Sequence, residues 1–273
     1  MILIISSKDD VTADLVQDDL KSRCVEFLRF NSEDYPGSVE LCFDYSSSHP
    51  TGSLSAGDRQ IAFSDVRTVW YRKPSGPCIS SDVTHEQAKK FAEDESNAAL
   101  TGLYNALRGA FWVSRPERIR MANDKLLQLA VAREFGHEVP RTLVTNSPES
   151  ARRFYDVCQG RVVIKPLRAG LIEYPDGSVE VIYTTPLSAG DLAEFDKVAY
   201  APCLLQEYVE KAIELRVTVI GGRMFCVALD TQSSDVHGRL QDGVGAKVDC
   251  GCRTETCVLA LHVGSPDGRD EAV

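Results

Sequence analysis

From residue 2 to residue 229 the chain is written as short apolar runs closed by polar or Gly/Pro punctuation, several alternating with segments of helical period. Such a chain has to bury strands in sheets covered by helices. Residues 2–6 form an apolar run ended by serine, and residues 11–23 carry Val11, Leu15 and Leu20 on a helical period, so a strand is followed by a helix. A second strand is expected over 25–30, leading to a polar loop that ends at Tyr35-Pro36-Gly37. Alternating stretches at 39–45 and 61–71 read as strands separated by a Ser/Gly-rich turn. Residues 85–108 set Phe91, Ala92, Ala98, Ala99, Leu103, Ala106 and Leu107 near one helical face, with acids early and Arg108 late, as the helix dipole favours.

A new unit is expected to begin near Arg115-Pro116. Asn123 and Asp124 can cap a helix over 125–132 that stops at Phe135-Gly136. Pro140 opens a strand over 141–144, and Ser147-Pro148-Glu149 supplies a cap, a first-turn proline and an early acid for a helix over 148–158. A strand at 161–166 follows, then a hairpin turning at Tyr174-Pro175-Asp176-Gly177. Strands are expected at 203–209 and 215–220, with Gly221-Gly222 turning into a last one at 224–229. From residue 233 the composition shifts to Gly, Asp and Ser, and little of it can join a packed core.

The 273 residues, 43% hydrophobic, suffice for two or three modest lobes. A formal charge of −10 disfavours the phosphate attraction behind most nucleic-acid binding and gives no general pull toward anionic lipid. The amino terminus lacks the basic start and cleavage site of a secretory signal, and no run approaches the roughly 18–20 apolar residues of a membrane helix. Nine cysteines, odd in number, include Cys24, Cys42, Cys158, Cys203 and Cys226 inside apolar surroundings, which reads as small buried hydrophobes in a reducing, cytoplasmic compartment. Cys250-Gly251-Cys252 with Cys257 and His262 lacks a fourth ligand at zinc spacing, so no metal ligand is assigned. The five histidines show no nucleophile-base spacing, and no GxSxG motif occurs, against a hydrolase triad.

Four features carry chemistry in combination: Asn123-Asp124-Lys125 at a helix start, Val163-Ile164-Lys165-Pro166 on a strand, Gln206-Glu207-Tyr208-Val209 on another, and Glu214-Leu215-Arg216 opening the next. Each alone is ordinary: a strand ending at proline, a solvated lysine, an exposed ion pair worth at most about 1 kcal/mol. Only their combination, in this order and each on its expected element, turns the matches into evidence. A nucleotide triphosphate needs fixed cations, which lysines on element ends supply, and a base needs an apolar slot edged by backbone donors and acceptors.

At these residues the chain resembles the ATP-grasp superfamily, and within it the peptide macrocyclases that make microviridin-type graspetides, with similarity also to the ribosomal-protein glutamate ligases. The resemblance covers roughly residues 1–230 and is strongest over 115–230; Trp70-Tyr71-Arg72-Lys73-Pro74 looks like the end of that group's amino-terminal domain. It implies an α/β (α+β) fold: a pre-ATP-grasp, peptide-docking lobe at 1–114, an ATP-grasp nucleotide region at 115–232 whose last lobe is incomplete, and an atypical tail at 233–273. It implies ATP held by Lys125, Lys165, Gln206, Glu207, Tyr208 and Val209, with backbone atoms of Glu207 and Val209 facing the base. Glu214 would take the ribose, and Arg216 would act catalytically on the phosphoryl group. The expected reaction activates a side-chain carboxylate of a precursor peptide or protein as an acyl phosphate, which a hydroxyl or amine then attacks. A homodimer is allowed, and neither nucleic acid nor membrane is an expected partner.

Members of that family continue past the strand at 224–229 into a domain holding Mg2+ ligands and an FLEVNP-like strand; no such ligands are identifiable here. Three readings stay open: a truncated or frame-shifted chain, a remnant that binds ATP or peptide without turnover, and an enzyme completed by a partner. The expectation is weak nucleotide binding with poor ligation. A glutamate ligase acting on a protein tail is the alternative enzyme.

Overall fold

The computed structural model describes residues 1–48, 51–168, 170–174, 178–210, 214–229 and the backbone of 246–247. The described residues fall into two compact units, Met1–Arg118 and a second that begins at Ile119.

In the first unit the chain runs β1 (Ile2–Ser6), α1 (Val11–Ser22), β2 (Phe27–Asn31), β3 (Val39–Asp44), β4 (Thr51–Ala56), β5 (Arg59–Ala62), β6 (Thr68–Tyr71), α2 (Glu86–Ala106) and β7 (Phe111–Val113). Strands β2-β1-β6-β7 form a parallel sheet in that order. The connection through α1 steps from β1 to one side and that through α2 steps from β6 to the other, so right-handed crossovers put the two helices on opposite faces. Leu3, Ile5, Phe30 and Val69 pack with Leu100, Leu103 and Trp112 in one core. Ala13 is the buried contact of α1, and Val11 and Leu15 are 68% exposed. The helix is therefore turned from the phase its apolar residues suggest, because Asp10 pins its start. That carboxylate caps Thr12 and Ala13, accepts from the Ser6 hydroxyl at 3.0 Å and pairs with Arg72 at 3.4 Å. Burial alone would raise the Asp10 pKa; the Ser6 hydroxyl, the Ala13 amide, Arg72 and the Thr12 amide outweigh it and hold it below the usual carboxylate range.

Strands β3, β4 and β5 form a small antiparallel sheet. Its middle strand is the Ser/Gly-rich stretch that composition reads as a turn. Gly52 explains the error, since a Cβ there would lie 2.2 Å from the Phe63 ring and 3.0 Å from the Cys42 carbonyl. The glycine serves close packing within a strand. On α2 the buried stripe is Ser96, Leu100 and Leu103; of the expected face Leu103 and Leu107 are buried, whereas Phe91 is 66% exposed. Cys24 and Cys42 are also exposed, Cys24 because it occupies the left-handed turn (φ 55°) that ends α1.

A short helix, α3 (Pro116–Ala122), leads into α4 (Lys125–Glu134), β8 (Thr142–Thr145), α5 (Pro148–Val157), β9 (Val162–Lys165), β10 (Leu171–Glu173), β11 (Val179–Val181), β12 (Thr185–Pro186) and a 3-10 helix (Ala189–Tyr200). Then come β13 (Cys203–Glu207), β14 (Glu214–Ile220), β15 (Arg223–Leu229) and β16 (Ala246–Lys247). Neither α3 nor the 3-10 helix is legible from periodicity. Asp124 and Ser147 cap α4 and α5, and Gly136 takes φ 78° just past α4. The order β12-β9-β13-β8 makes an antiparallel sheet, and β14-β15-β16 make another. Ala151, Val162, Phe195 and Leu205 form the core under the first sheet's inner face. The tail at 233–273, with Cys250, Cys252, Cys257 and His262, lies outside the described residues apart from the backbone of β16.

Candidate functional site

In an antiparallel sheet directly paired residues share a face, and the alternation of two carries that face along each strand. The register pairs Thr142 with Gln206 and Gln206 with Val163, and Val144 with Leu204 and Leu204 with Lys165. With Val162 and Leu205 turned to the inner core, the opposite face carries Thr142, Val144, Leu204, Gln206, Val163 and Lys165. Helix α4 runs along this face. Leu126, Leu129, Ala130 and Arg133 line a groove of about 370 Å³ with Val139, Pro140, Thr142 and Val144.

Two lysines border the end of β9. Lys165 Nζ donates to Gln206 Oε1 at 2.7 Å. Lys125, the first residue of α4, sends its ammonium to the Pro166 carbonyl and, at 3.1 Å, to the Arg168 carbonyl. Asp124 makes this reach reproducible by capping Leu126 and Leu127, which fixes the helix start that carries Lys125.

At the end of β13 the backbone alternates sides. The Glu207 N–H donates to the Arg141 carbonyl, toward β8, whereas the Tyr208 N–H donates to the Arg161 carbonyl, toward β9. Arg161 returns a bond to the Tyr208 carbonyl at 3.2 Å. Strand geometry therefore points the Glu207 carbonyl to the β8 side, where Pro140 edges the groove. The Glu207 carboxylate lies 3.8 Å from Arg141 and is partly solvated, a weak pair. Tyr208 and Val209 are exposed.

Glu214 and Arg216 stand on β14, in the other sheet, and pair with each other at 2.7 Å, the arginine largely exposed. The expected residues thus divide: Lys125, Lys165 and Gln206 through Val209 gather around one sheet, and Glu214 and Arg216 share a face of a second. Sequence reasoning missed Thr142, Pro140 and the α4 groove, although the period-two pattern of Thr142-Leu143-Val144-Thr145 could have assigned Thr142 a face once its pairing was known. Nearby Cys158 and Cys203 have thiols raised by burial, so neither is a ready nucleophile.

These groups fit a nucleotide. The groove is within the size range of small-molecule sites and its walls are apolar enough for a base, and Lys165 on the same sheet face and Lys125 at the start of α4 are cations that could meet phosphates. Among the described residues no cluster of three or more His, Cys, Asp or Glu could hold a metal, so no Mg2+ ligand is assigned to them.

The MvdD pre-ATP-grasp domain family matches residues 1–120. A Chryseobacterium gregarium RiPP-associated ATP-grasp ligase, solved in complex with ADP and a leader and core peptide, is 30% identical, with a TM-score of 0.78 over 86% of this chain and 70% of that one. Macrocyclase MdnB from Microcystis aeruginosa is 31% identical, with a TM-score of 0.71 over 88% of this chain and 78% of that one. The chain belongs to the RiPP-associated ATP-grasp ligases. The expected α/β architecture of that family, a pre-ATP-grasp lobe followed by ATP-grasp lobes, is the one observed. A probable alpha-L-glutamate ligase of Teredinibacter turnerae is 31% identical to this ATP-grasp ligase over 121 residues, 43% of this chain and 38% of that protein. Among the described residues no helix is long and apolar enough to cross a membrane.

Proposed function

We propose that this ATP-grasp ligase binds ATP on the Lys165 face of the β12-β9-β13-β8 sheet and joins a side-chain carboxylate of a ribosomally made precursor peptide to a hydroxyl or amine of the same peptide. The observation that carries the reading is the 2.7 Å contact between Lys165 and Gln206, which sets a phosphate-binding cation next to the segment that would edge the base. The C. gregarium relative, solved with ADP and peptide, supports the same ligand classes here.

In this reading the base enters the α4 groove against Leu126, Leu129 and Val144, with the Glu207 carbonyl and Val209 N–H at its edge. Lys125 and Lys165 neutralise the phosphates. Glu214 takes the ribose hydroxyls, and Arg216 offers its paired donors to the transferred phosphoryl group. When bound, ATP supplies activation of the peptide carboxylate as an acyl phosphate, releasing ADP; the attacking hydroxyl or amine then expels phosphate and loses its proton. No step is assigned to a Mg2+ ligand of this chain. The Met1–Arg118 unit is the proposed docking platform for the peptide leader, and the unpaired thiols of the described cysteines suit a cytoplasmic setting.

Titration of the purified chain with Mg-ATP while following its melting temperature tests the reading. A stabilisation that grows with ATP is expected, and no shift at saturating ATP would count against it. Adding precursor peptide then separates two further readings. Ring formation with loss of water identifies macrocyclisation, and glutamate addition identifies glutamate ligation, the activity in the name of the T. turnerae relative. ATP binding without either product would favour a binding remnant.

A further inference from the structure

Lys165 does not stand on its sheet face alone: its ammonium is the first member of a directed hydrogen-bond chain that crosses three strands. Lys165 Nζ donates to Gln206 Oε1 at 2.7 Å, Gln206 Nε2 donates to Thr142 Oγ1 at 2.9 Å, and the Thr142 hydroxyl donates to the Pro140 carbonyl at 2.9 Å. The polarity is forced from both ends. An ammonium has only donors, so it must meet the amide oxygen. The Thr142 proton is committed to Pro140, so its oxygen is left to accept from the amide nitrogen.

We propose that Thr142 and Gln206 are positioning residues that hold the Lys165 ammonium where a nucleotide phosphate needs it. A lysine head on four rotatable bonds loses about 2 kcal/mol of rotamer freedom when fixed, and one ordered before the ligand arrives leaves less to be lost on binding. Without the Thr142 hydroxyl the amide has lost the acceptor that locks it, Gln206 can turn its NH2 toward the ammonium or swing away, and Lys165 loses the acceptor that Gln206 supplies. This rests on the nucleotide reading above. It adds that affinity for the phosphates is set two strands away, by a hydroxyl that also lines the α4 groove.

That double position dictates the experiment: ATP and adenosine are titrated calorimetrically into wild type, Thr142→Val, Thr142→Ser and Lys165→Ala, after melting curves establish that each is folded. Thr142→Val keeps shape and strand propensity but has no hydroxyl, and it is expected to weaken ATP about three- to tenfold, the loss of one neutral hydrogen bond, and to weaken adenosine clearly less. Thr142→Ser restores ATP affinity, and Lys165→Ala weakens ATP at least as much as Thr142→Val. If Thr142→Val binds ATP like wild type while Lys165→Ala is impaired, the nucleotide site stands and the positioning role is wrong. Equal weakening of ATP and adenosine by Thr142→Val would make Thr142 a groove wall only, which also overturns the role. Should Lys165→Ala bind ATP like wild type, the nucleotide reading itself fails and this inference with it.

Discussion

The Lys165 ammonium and the Gln206 amide oxygen meet at 2.7 Å across two adjacent antiparallel strands. Residues 41 positions apart in sequence thereby share one sheet face, because the register pairs Leu204 with Lys165 and so sets Gln206 diagonal to it.

Lys165→Ala should abolish most of the ATP-induced rise in melting temperature while leaving the ligand-free protein nearly as stable as wild type, since a partly solvated lysine contributes about 1 kcal/mol or less. Differential scanning calorimetry with and without ATP measures both quantities. A full ATP shift in the variant would remove Lys165 from the phosphates.

Arg216 is largely exposed on β14, so Arg216→Ala should alter folding stability by no more than about 0.5 kcal/mol. If its guanidinium meets the phosphoryl group, ring formation should fall by about a hundredfold or more with little change in ATP affinity. Mass spectrometry of the precursor peptide over time provides the rate, and an undiminished rate would show that the guanidinium does no chemistry.

Gly52→Ala should destabilise the first unit by about 1–3 kcal/mol, because the new methyl would sit 2.2 Å from the Phe63 ring. Chemical denaturation measures the loss. Phe63→Leu should recover part of it in the double variant, a non-additivity expected only if the two side chains compete for one space.

Asp10 links stability to acid. Its folded pKa is depressed, so it contributes stability that is present above the unfolded carboxylate pKa, about 4, and lost as pH falls through the lower folded value. Asp10→Asn keeps a cap but removes the charge beside Arg72, and it should cost about 1–2 kcal/mol at neutral pH and flatten the acid limb of the melting temperature against pH. An unchanged acid limb would mean that other carboxylates dominate it.

Much of the molecule was legible before any coordinates. The strand at Ile2–Ser6, the capped helices at Lys125 and Pro148, the Lys165 strand and the hairpin at Gly221-Gly222 all follow from period, caps and turn residues, which act over a few neighbouring positions. The same locality explains the misreadings. A Ser/Gly-rich stretch became β4 because the Phe63 ring needs a neighbour without a side chain, and α1 took its rotation from Asp10 and Arg72, not from Val11 and Leu15.

By itself the amino-acid order marked Lys125, Lys165 and the segment from Gln206 as candidates for a nucleotide site, since charge type, strand ends and helix starts are local properties. It could not determine which of them share a surface. That depends on strand order and register, where a shift of one residue would turn Lys165 and Gln206 to the opposite face. Tertiary pairing alone brought Thr142 under Gln206, laid the α4 groove beside them, and set Glu214 and Arg216 on a separate sheet.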